Sequence, residues 1–167
     1  MRLPLKICVV GGLNVDVSGT PVDRLRPYDS NPGHVHLSLG GVGRNLAENL
    51  SLLGCDVSLI TVLGDDAFTP WIQSDCASRG IDLSGALTVT GIANGYYLCV
   101  NEANGDLHTA VADMAVCDRV TPEFLSERLP RLNQADAVVL DANLPSETVA
   151  WAVSHVTVPC FADTVSV

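Results

Sequence analysis

Short apolar runs alternate with helical stripes along this chain, and the alternation predicts a sheet flanked by helices. Ile7-Cys8-Val9-Val10 is unbroken by polar residues, the pattern of a strand buried on both faces, and it ends in Gly11-Gly12-Leu13-Asn14-Val15-Asp16. A loop over 21–33 follows. Residues 34–39 alternate polar and apolar side chains, as a half-exposed strand does. After Gly40-Gly41-Val42-Gly43, an amphipathic stretch over 46–53 predicts a helix that stops at Gly54. Val42, Leu46, Leu50 and Leu53 form its apolar stripe, with Asn45 and Asn49 one turn apart on its flank.

The same reading continues through the rest of the chain. Residues 57–63 predict a second buried strand, and Asp65-Asp66 leads into a helix over 67–79 halted by Gly80. In the middle the rhythm changes: 93–101 and 107–112 predict two strands joined by a turn containing Asn104-Gly105, a strong hairpin signal. The alternation then resumes with a helix capped by Thr121 and begun by Pro122, a strand over 137–140, a helix over 146–155 and a strand over 159–161. The expected fold is α/β, a parallel sheet flanked by helices with a small antiparallel insert. Ligands of such sheets lie beyond the carboxyl ends of the strands. Asp16, the glycine turn, Asp65-Asp66 and Asp141-Ala142-Asn143 all fall at such ends.

Composition narrows the function classes. With 167 residues, 47% of them hydrophobic, and a mean hydropathy of +0.29, the chain can bury a real core. A formal charge of −10 leaves no basic stripe for phosphate backbones, which argues against a nucleic-acid partner. No apolar run reaches membrane-spanning length, and the first ten residues are too short a run for a signal peptide, so a cytoplasmic protein is expected. The cysteines at 8, 55, 76, 99, 117 and 160 form no Cys-x-x-Cys pair and predict buried free thiols. His34 and His36 would share a strand face, but no nearby carboxylate or cysteine completes a set, and no metal site is expected.

The candidate chemistry begins at Gly40-Gly41-Val42-Gly43-Arg44-Asn45. A glycine-rich turn at a helix start offers free N–H groups and the positive end of the dipole to a polyol or an anion. Asn45 beside the glycines is the stronger ligand candidate; Asn49 serves equally well as a backbone cap. A dinucleotide fingerprint fails because Leu46 stands where its third glycine belongs, and no Lys-Ser/Thr pair completes a phosphate-binding P-loop. The turn therefore reads as a platform for hydroxyl groups, with Asp16 as their acceptor.

Gly12-x-Asn14-x-Asp16, then Gly40-Gly41-x-x-x-Asn45-x-Ala47 through Leu53-Gly54, then Gly64-Asp65-Asp66, resemble the N-terminal half of ribokinase-like (PfkB-type) carbohydrate kinases. Within that family, Asp29-Ser30-Asn31-Pro32-Gly33, the Gly-Gly-Val-Gly-Arg-Asn run and Ala112-Asp113-Met114 look most like pseudouridine kinases. The resemblance implies a Rossmann-like domain of which 1–167 is the N-terminal portion, with a β lid from about 16–39 and 93–113. It implies transfer of the γ-phosphoryl group of ATP, with Mg2+ in the complete enzyme, to a primary hydroxyl, for pseudouridine the ribose 5′-OH. Neither ATP nor Mg2+ is expected to bind this chain tightly.

Residue by residue, the resemblance implies a substrate site of Asn14, Asp16, Gly40, Gly41, Val42, Gly43 and Asn45. Asp16 and Asn45 would bond ribose hydroxyls while the glycine backbone approaches the sugar. Ser30 and Asn31 would read the base, and Asn143 the far side of the sugar. Plainer roles stay open: Asp16 could brace its strand end, Ser30 and Asn31 could serve turn chemistry, and Asn143 could cap the next helix. The family's general base lies in a Gly-Ala-Gly-Asp helix start in its C-terminal half, and this chain contains no such sequence. The expectation is that the catalytic base lies beyond the chain end, the C-terminal half of the fold is missing, and the chain alone is not an active kinase. The 159–161 strand would then carry an unpaired edge, predicting oligomerisation there or a dimer through the lid. The function expected is a pseudouridine kinase; the alternatives are a kinase for another sugar or nucleoside, and a catalytically silent binding or assembly module.

Overall fold

The computed structural model describes residues 3–164. In chain order it contains β1 (Lys6–Val10), β2 (Asn14–Pro21), β3 (Gly33–Gly40), α1 (Val42–Leu52), β4 (Asp56–Ile60), β5 (Val62–Leu63), α2 (Thr69–Ser78), β6 (Ile81–Asp82), β7 (Leu87–Thr88), β8 (Gly95–Asn101) and β9 (Leu107–Asp113). A 3-10 turn (Ala115–Arg119), α3 (Pro122–Ser126), α4 (Leu129–Leu132), β10 (Ala137–Asp141), α5 (Ser146–His155) and β11 (Cys160–Asp163) complete it.

Five strands form a parallel sheet in the order β11-β10-β1-β4-β6. Its side chains divide between two cores. Ile7, Val9, Val57 and Leu59 face the layer that holds Ala47 of α1 and Ile72 and Cys76 of α2. Cys8, Val10, Ile60, Val138 and Leu140 face Phe124, Leu125, Leu132 and Ala152 of α3, α4 and α5. With both faces covered, these strands need apolar residues at consecutive positions, which is why they read as unbroken runs.

A second sheet, ordered β3-β2-β8-β9, stands beyond the carboxyl end of β1. Its two faces differ. One begins on the core with Val15, Leu39 and Tyr96 and continues outward as the row Leu37, Val17, Leu98 and Val111. The other carries Asn14, Asp16, Ser18, Ser38, Tyr97 and Cys99. The hairpin insert is therefore half of a mixed sheet: β2 pairs antiparallel with β3 but parallel with β8. Residues 14–21, not singled out as a strand by the sequence pattern, supply its centre.

Several expected boundaries shift for local reasons. Residues 57–63 form two strands, because the chain changes sheets at Thr61: Ile60 O accepts from Gly11 N (3.2 Å), whereas Thr61 O accepts from Leu87 N (3.0 Å) and β5 pairs with β7. α2 begins at Thr69 after a turn over 66–69, in which Asp66 N donates to Thr69 Oγ1 (3.2 Å), Phe68 N to Asp66 Oδ1 (2.9 Å) and Thr69 N to Asp66 O (3.2 Å). α1 starts four residues before 46, and its packing face is Gly43, Ala47, Leu46 and Leu50. Leu53, expected on the stripe, is exposed. Thr121 does cap α3, its Oγ1 accepting from Phe124 N at 3.2 Å. All six cysteines are free; Cys8 and Cys76 are fully buried and the other four only partly, which corrects the expectation of burial for all.

A Cβ built on Gly43 would lie 2.6 Å from the Cα and carbonyl carbon of Gly11, whereas one on Gly19 in β2 would meet nothing closer than 4.0 Å. Gly43→Ala should cost about 1–3 kcal/mol in urea unfolding, as overpacking against rigid backbone does, and Gly19→Ala within about 0.5 kcal/mol. Equal effects from the two substitutions would contradict this packing.

Candidate functional site

The site is built where β1 and α1 meet. Gly11 and Gly12 end the central strand, and Gly41 and Gly43 start the helix, with no side chain between them. A Cβ on Gly11 would lie 2.7 Å from Gly43 Cα and 2.7 Å from Asp141 Cβ. Gly41 has φ 95°, a conformation natural only to glycine, and its Cβ would lie 2.6 Å from Gly12 O. Arg44 N then donates to Gly12 O at 3.1 Å, and Asn45 N to Gly41 O at 2.9 Å. No side chain caps α1, and with Arg44 N taken by Gly12 O the N–H groups left over at its start are those of Val42 and Gly43, beside the carboxyl ends of β1 and β10.

A cleft of about 340 Å³ opens there. Gly12, Leu13 and Asn14 after β1, Gly41 and Val42 at the start of α1, and Asp141, Asn143 and Leu144 after β10 form its floor, while Tyr97, Ala112, Met114 and Cys117 close it from the second sheet and the 3-10 turn. Asp141 is buried and fully engaged: Oδ2 accepts from Gly12 N (3.0 Å), and Oδ1 from Asn143 N (2.8 Å) and Asn143 Nδ2 (2.8 Å). The carboxylate thus ties the β10 end to the β1 end. Burial, followed by the charges of Asp141 and Asp118, pushes the Cys117 thiol up to about 11, so it stays protonated and unreactive at neutral pH.

The candidates named from sequence divide into three groups. Asn14, Gly41, Val42 and Asn143 line the cleft, and Gly40 and Gly43 adjoin Gly41 and Val42 in the chain without lining it. Asp16 stands beside Asn14, whose Nδ2 donates to Asp16 Oδ1 at 2.5 Å, and it covers Gly40, where a Cβ would collide with the carboxylate. Burial raises the Asp16 carboxyl above the ordinary aspartate range, against the Asn14 hydrogen bond and the Arg44 charge. Asn45 is exposed on α1 and does not line the cleft; its Oδ1 accepts from Arg44 Nη1 at 3.1 Å.

Ser30 and Asn31 lie elsewhere. Asn31 lines a separate groove of about 610 Å³ under the 21–32 loop, accepting from Arg26 N (2.8 Å) and donating to Arg26 O and Asp29 O (both 3.0 Å), while Ser30 N donates to Asp29 Oδ1 (2.8 Å). These are turn bonds. His34 and His36 are exposed on β3, and among the described residues no three His, Cys, Asp or Glu side chains are grouped to hold a metal ion. Nor is any helix of the described residues long and apolar enough to cross a membrane.

Asp141, Tyr97, Met114 and Cys117 were not singled out as site residues. Asp141 carried a signal in its place at a strand end two residues before Asn143. Cys117 carried none.

Two polar networks hold the elements around the cleft. Arg44, 5% exposed, donates to Glu48 Oε2 (2.6 Å) and Asp75 Oδ2 (3.1 Å), and Arg79 closes the ring onto the same two carboxylates, binding α1 to α2. Asp66 anchors the root of the second sheet. It accepts from Asn94 N (2.8 Å), Asn94 Nδ2 (2.7 Å) and Tyr96 OH (2.9 Å), and Asn94 Oδ1 in turn accepts from Gly64 N (3.0 Å). Gly64-Asp65-Asp66 therefore supports the site without lining it.

Comparison with known proteins is consistent across the chain. The model of the pfkB family carbohydrate kinases matches residues 4–160. The chain belongs to the PfkB family of carbohydrate kinases. It is similar to the uncharacterized sugar kinase YeiI of Escherichia coli, at 35% identity over 95% of this chain and 44% of that protein. It is also similar to the pseudouridine kinase of the same organism, at 32% identity over 99% of this chain and 53% of that protein. Among solved structures, a carbohydrate kinase from Agrobacterium tumefaciens superposes with a TM-score of 0.83 at 30% identity, covering 95% of this chain and 53% of its own. This PfkB-family chain spans about half the length of the curated relatives it matches.

Burial opposes the charge of Asp66, but hydrogen bonds from Asn94, Phe68 and Tyr96 outweigh it and hold the carboxyl below its usual 3.8. The same carboxylate, after burial, pushes the Tyr96 hydroxyl up to about 12. A depressed carboxyl adds stability that is present above the unfolded-state value and is lost as pH falls through the folded one. Asp66→Asn should therefore be less stable than the natural chain at neutral pH, with the gap shrinking as pH falls below 3.8. Urea unfolding between neutral pH and about pH 2.5 checks this, and a gap that stays constant would remove Asp66 from the acid response.

Proposed function

We propose that this chain supplies the substrate wall and covering sheet of a kinase that phosphorylates the primary hydroxyl of a ribosyl substrate, with pseudouridine as that substrate. One observation carries the reading: Asn14, the uncapped start of α1 and Asn143 come from three separate strand ends and line a single cleft under the polar face of the second sheet. Amide groups and free backbone N–H groups around a partly apolar pocket suit the hydroxyls and ring of a nucleoside. The likeness to pseudouridine kinase supports the choice of substrate. The equally extensive likeness to a sugar kinase supports a second reading, in which the same cleft takes another sugar or nucleoside.

In this reading Asp16 accepts from a sugar hydroxyl, and the glycine backbone of 40–43 lets the ring approach the α1 start. Asn45 reaches the substrate by turning its exposed amide inward, and Ser30 and Asn31 meet the base only if the 21–32 loop moves over the cleft. Asn143 holds the far side of the sugar. The cleft residues do not fit a nucleoside triphosphate: no Lys or Arg lines the cleft, and Asp141 is its charged residue. We assign them to the substrate alone. What they contribute to phosphoryl transfer is orientation, holding one hydroxyl in a fixed place and keeping water from the sugar.

The second sheet serves as a lid over the substrate and as a dimer contact. Val35, Leu37, Leu98 and Val111 are 74%, 44%, 47% and 66% exposed on its outer face, an apolar surface that a second copy would cover. Leu98→Asp should convert a dimer to monomers in size-exclusion chromatography with light scattering, without lowering the melting temperature of the subunit. A natural chain that stays monomeric at high concentration would refute the dimer.

Isothermal calorimetry on the 167-residue chain tests the substrate. Pseudouridine should bind more tightly than uridine and ribose, and ATP hydrolysis in its presence should stay at background. Tighter binding of ribose would favour the second reading, and measurable ATP turnover would overturn the assignment of this chain to the substrate wall alone.

A further inference from the structure

Two asparagines line the cleft, and each has its amide nitrogen committed to a carboxylate behind it. Asn143 Nδ2 donates to Asp141 Oδ1 at 2.8 Å, and Asn14 Nδ2 donates to Asp16 Oδ1 at 2.5 Å. An ionised carboxylate only accepts, so an amide bonded to it must present its nitrogen there and turn its carbonyl oxygen away. Neither Asn14 Oδ1 nor Asn143 Oδ1 accepts a bond from the described residues, and neither is sealed from solvent: Arg44 Nε is the only fully buried side-chain polar atom without a partner among them. Asp141 is especially well placed to hold such an orientation. It is 2% exposed and is fixed from the opposite side by Gly12 N, and its Oδ1 takes both the backbone and the side-chain N–H of Asn143.

We infer that Asp141 is a positioning residue that locks the Asn143 amide with its carbonyl toward the cleft, so that this wall binds substrate through the substrate's own O–H or N–H donors. The inference rests on the reading of the cleft as a nucleoside or sugar site and adds the polarity of its far wall. Asp16 sets Asn14 in the same sense on the opposite side. A substrate is then chosen for the donors it offers between two carbonyl acceptors, and an analogue with an ether or a phosphate at that position leaves an acceptor unpaired or repelled.

Asp141→Asn tests this with little change of shape. Its new amide can still accept from Gly12 N but can donate to Asn143 Oδ1, which releases or reverses the Asn143 amide. In the natural chain, NMR should show slow hydrogen exchange at the Asn143 side-chain amide relative to the exposed Asn45 amide, and Asp141→Asn should abolish the difference. Calorimetry should show the pseudouridine and ribose dissociation constants rising about tenfold in Asp141→Asn and in Asn143→Ala, a loss typical of one oriented hydrogen bond. Adding Asp141→Asn to Asn143→Ala should change them by less than about twofold, because both act through one carbonyl.

Independent, multiplying losses in the double variant would overturn the inference, as would fast exchange at the Asn143 amide of the natural chain. If the natural chain binds neither ligand, the substrate reading fails, and the exchange measurement still decides the orientation. That measurement needs no variant, so it also decides the matter if Asp141→Asn does not fold.

Discussion

The contact on which the rest of the molecule depends is the one between bare backbones, Gly11-Gly12 after β1 and Gly41 and Gly43 at the start of α1. Separations of 2.6 to 2.7 Å from a hypothetical Cβ leave no room for a side chain on Gly11, Gly41 or Gly43. The consequence is positional. The uncapped end of α1, normally held away from a sheet by a layer of side chains, is brought against the carboxyl end of the central strand. Asp141 joins the same junction from β10, its carboxylate accepting from Gly12 N, so the ends of β1 and β10 and the start of α1 are fixed to each other.

What was legible from the amino-acid pattern follows the physics of burial. Strands covered on both faces must be apolar throughout, and β1, β4 and β10 were visible for that reason. The Thr121-Pro122 cap and the glycine stop after α2 are local chemistry and could be read locally. β2 was not separable. Its residues serve one sheet while continuing directly from another strand, and Asn14 and Asp16 read as a strand end when they are also a strand start. The break at Thr61 likewise depends on partners some 25 to 50 residues away, Leu87 and Gly11, which no local window contains.

The candidate site shows the same division. Asn14, the glycine turn and Asn143 could be named because strand ends and glycine runs leave a mark in the sequence, and the cleft collects them. Tyr97, Met114 and Cys117 arrive from the second sheet and the 3-10 turn, and only the three-dimensional path of β8 and β9 brings them there. Asn45 differs again. Its spacing from the glycines suits a ligand contact, yet the buried Arg44, drawn to Glu48 and Asp75, takes its carbonyl oxygen. Electrostatics between α1 and α2 therefore decide which end of that amide stays free.

That point extends to the whole cleft. Acidic side chains outnumber basic ones by nineteen to nine in the chain, yet the carboxylates nearest the cleft do not simply face into it. Asp141 spends its lone pairs on Gly12 and Asn143, and Asp16 spends one on Asn14. At Asp141 the charge is kept one bond behind Asn143, whose neutral amide carries its polarity forward, while Asp16 keeps its second oxygen beside the Asn14 amide. A neutral carbonyl accepts from a hydroxyl without the desolvation cost of a bare carboxylate, and it is displaced less by counter-ions. For a polyol that must bind with one hydroxyl left free to react, directional neutral acceptors on rigid strand ends hold the ring more narrowly than mobile charges would. The acidity of this chain is thus compatible with an uncharged ligand, because at the cleft it is expressed as orientation.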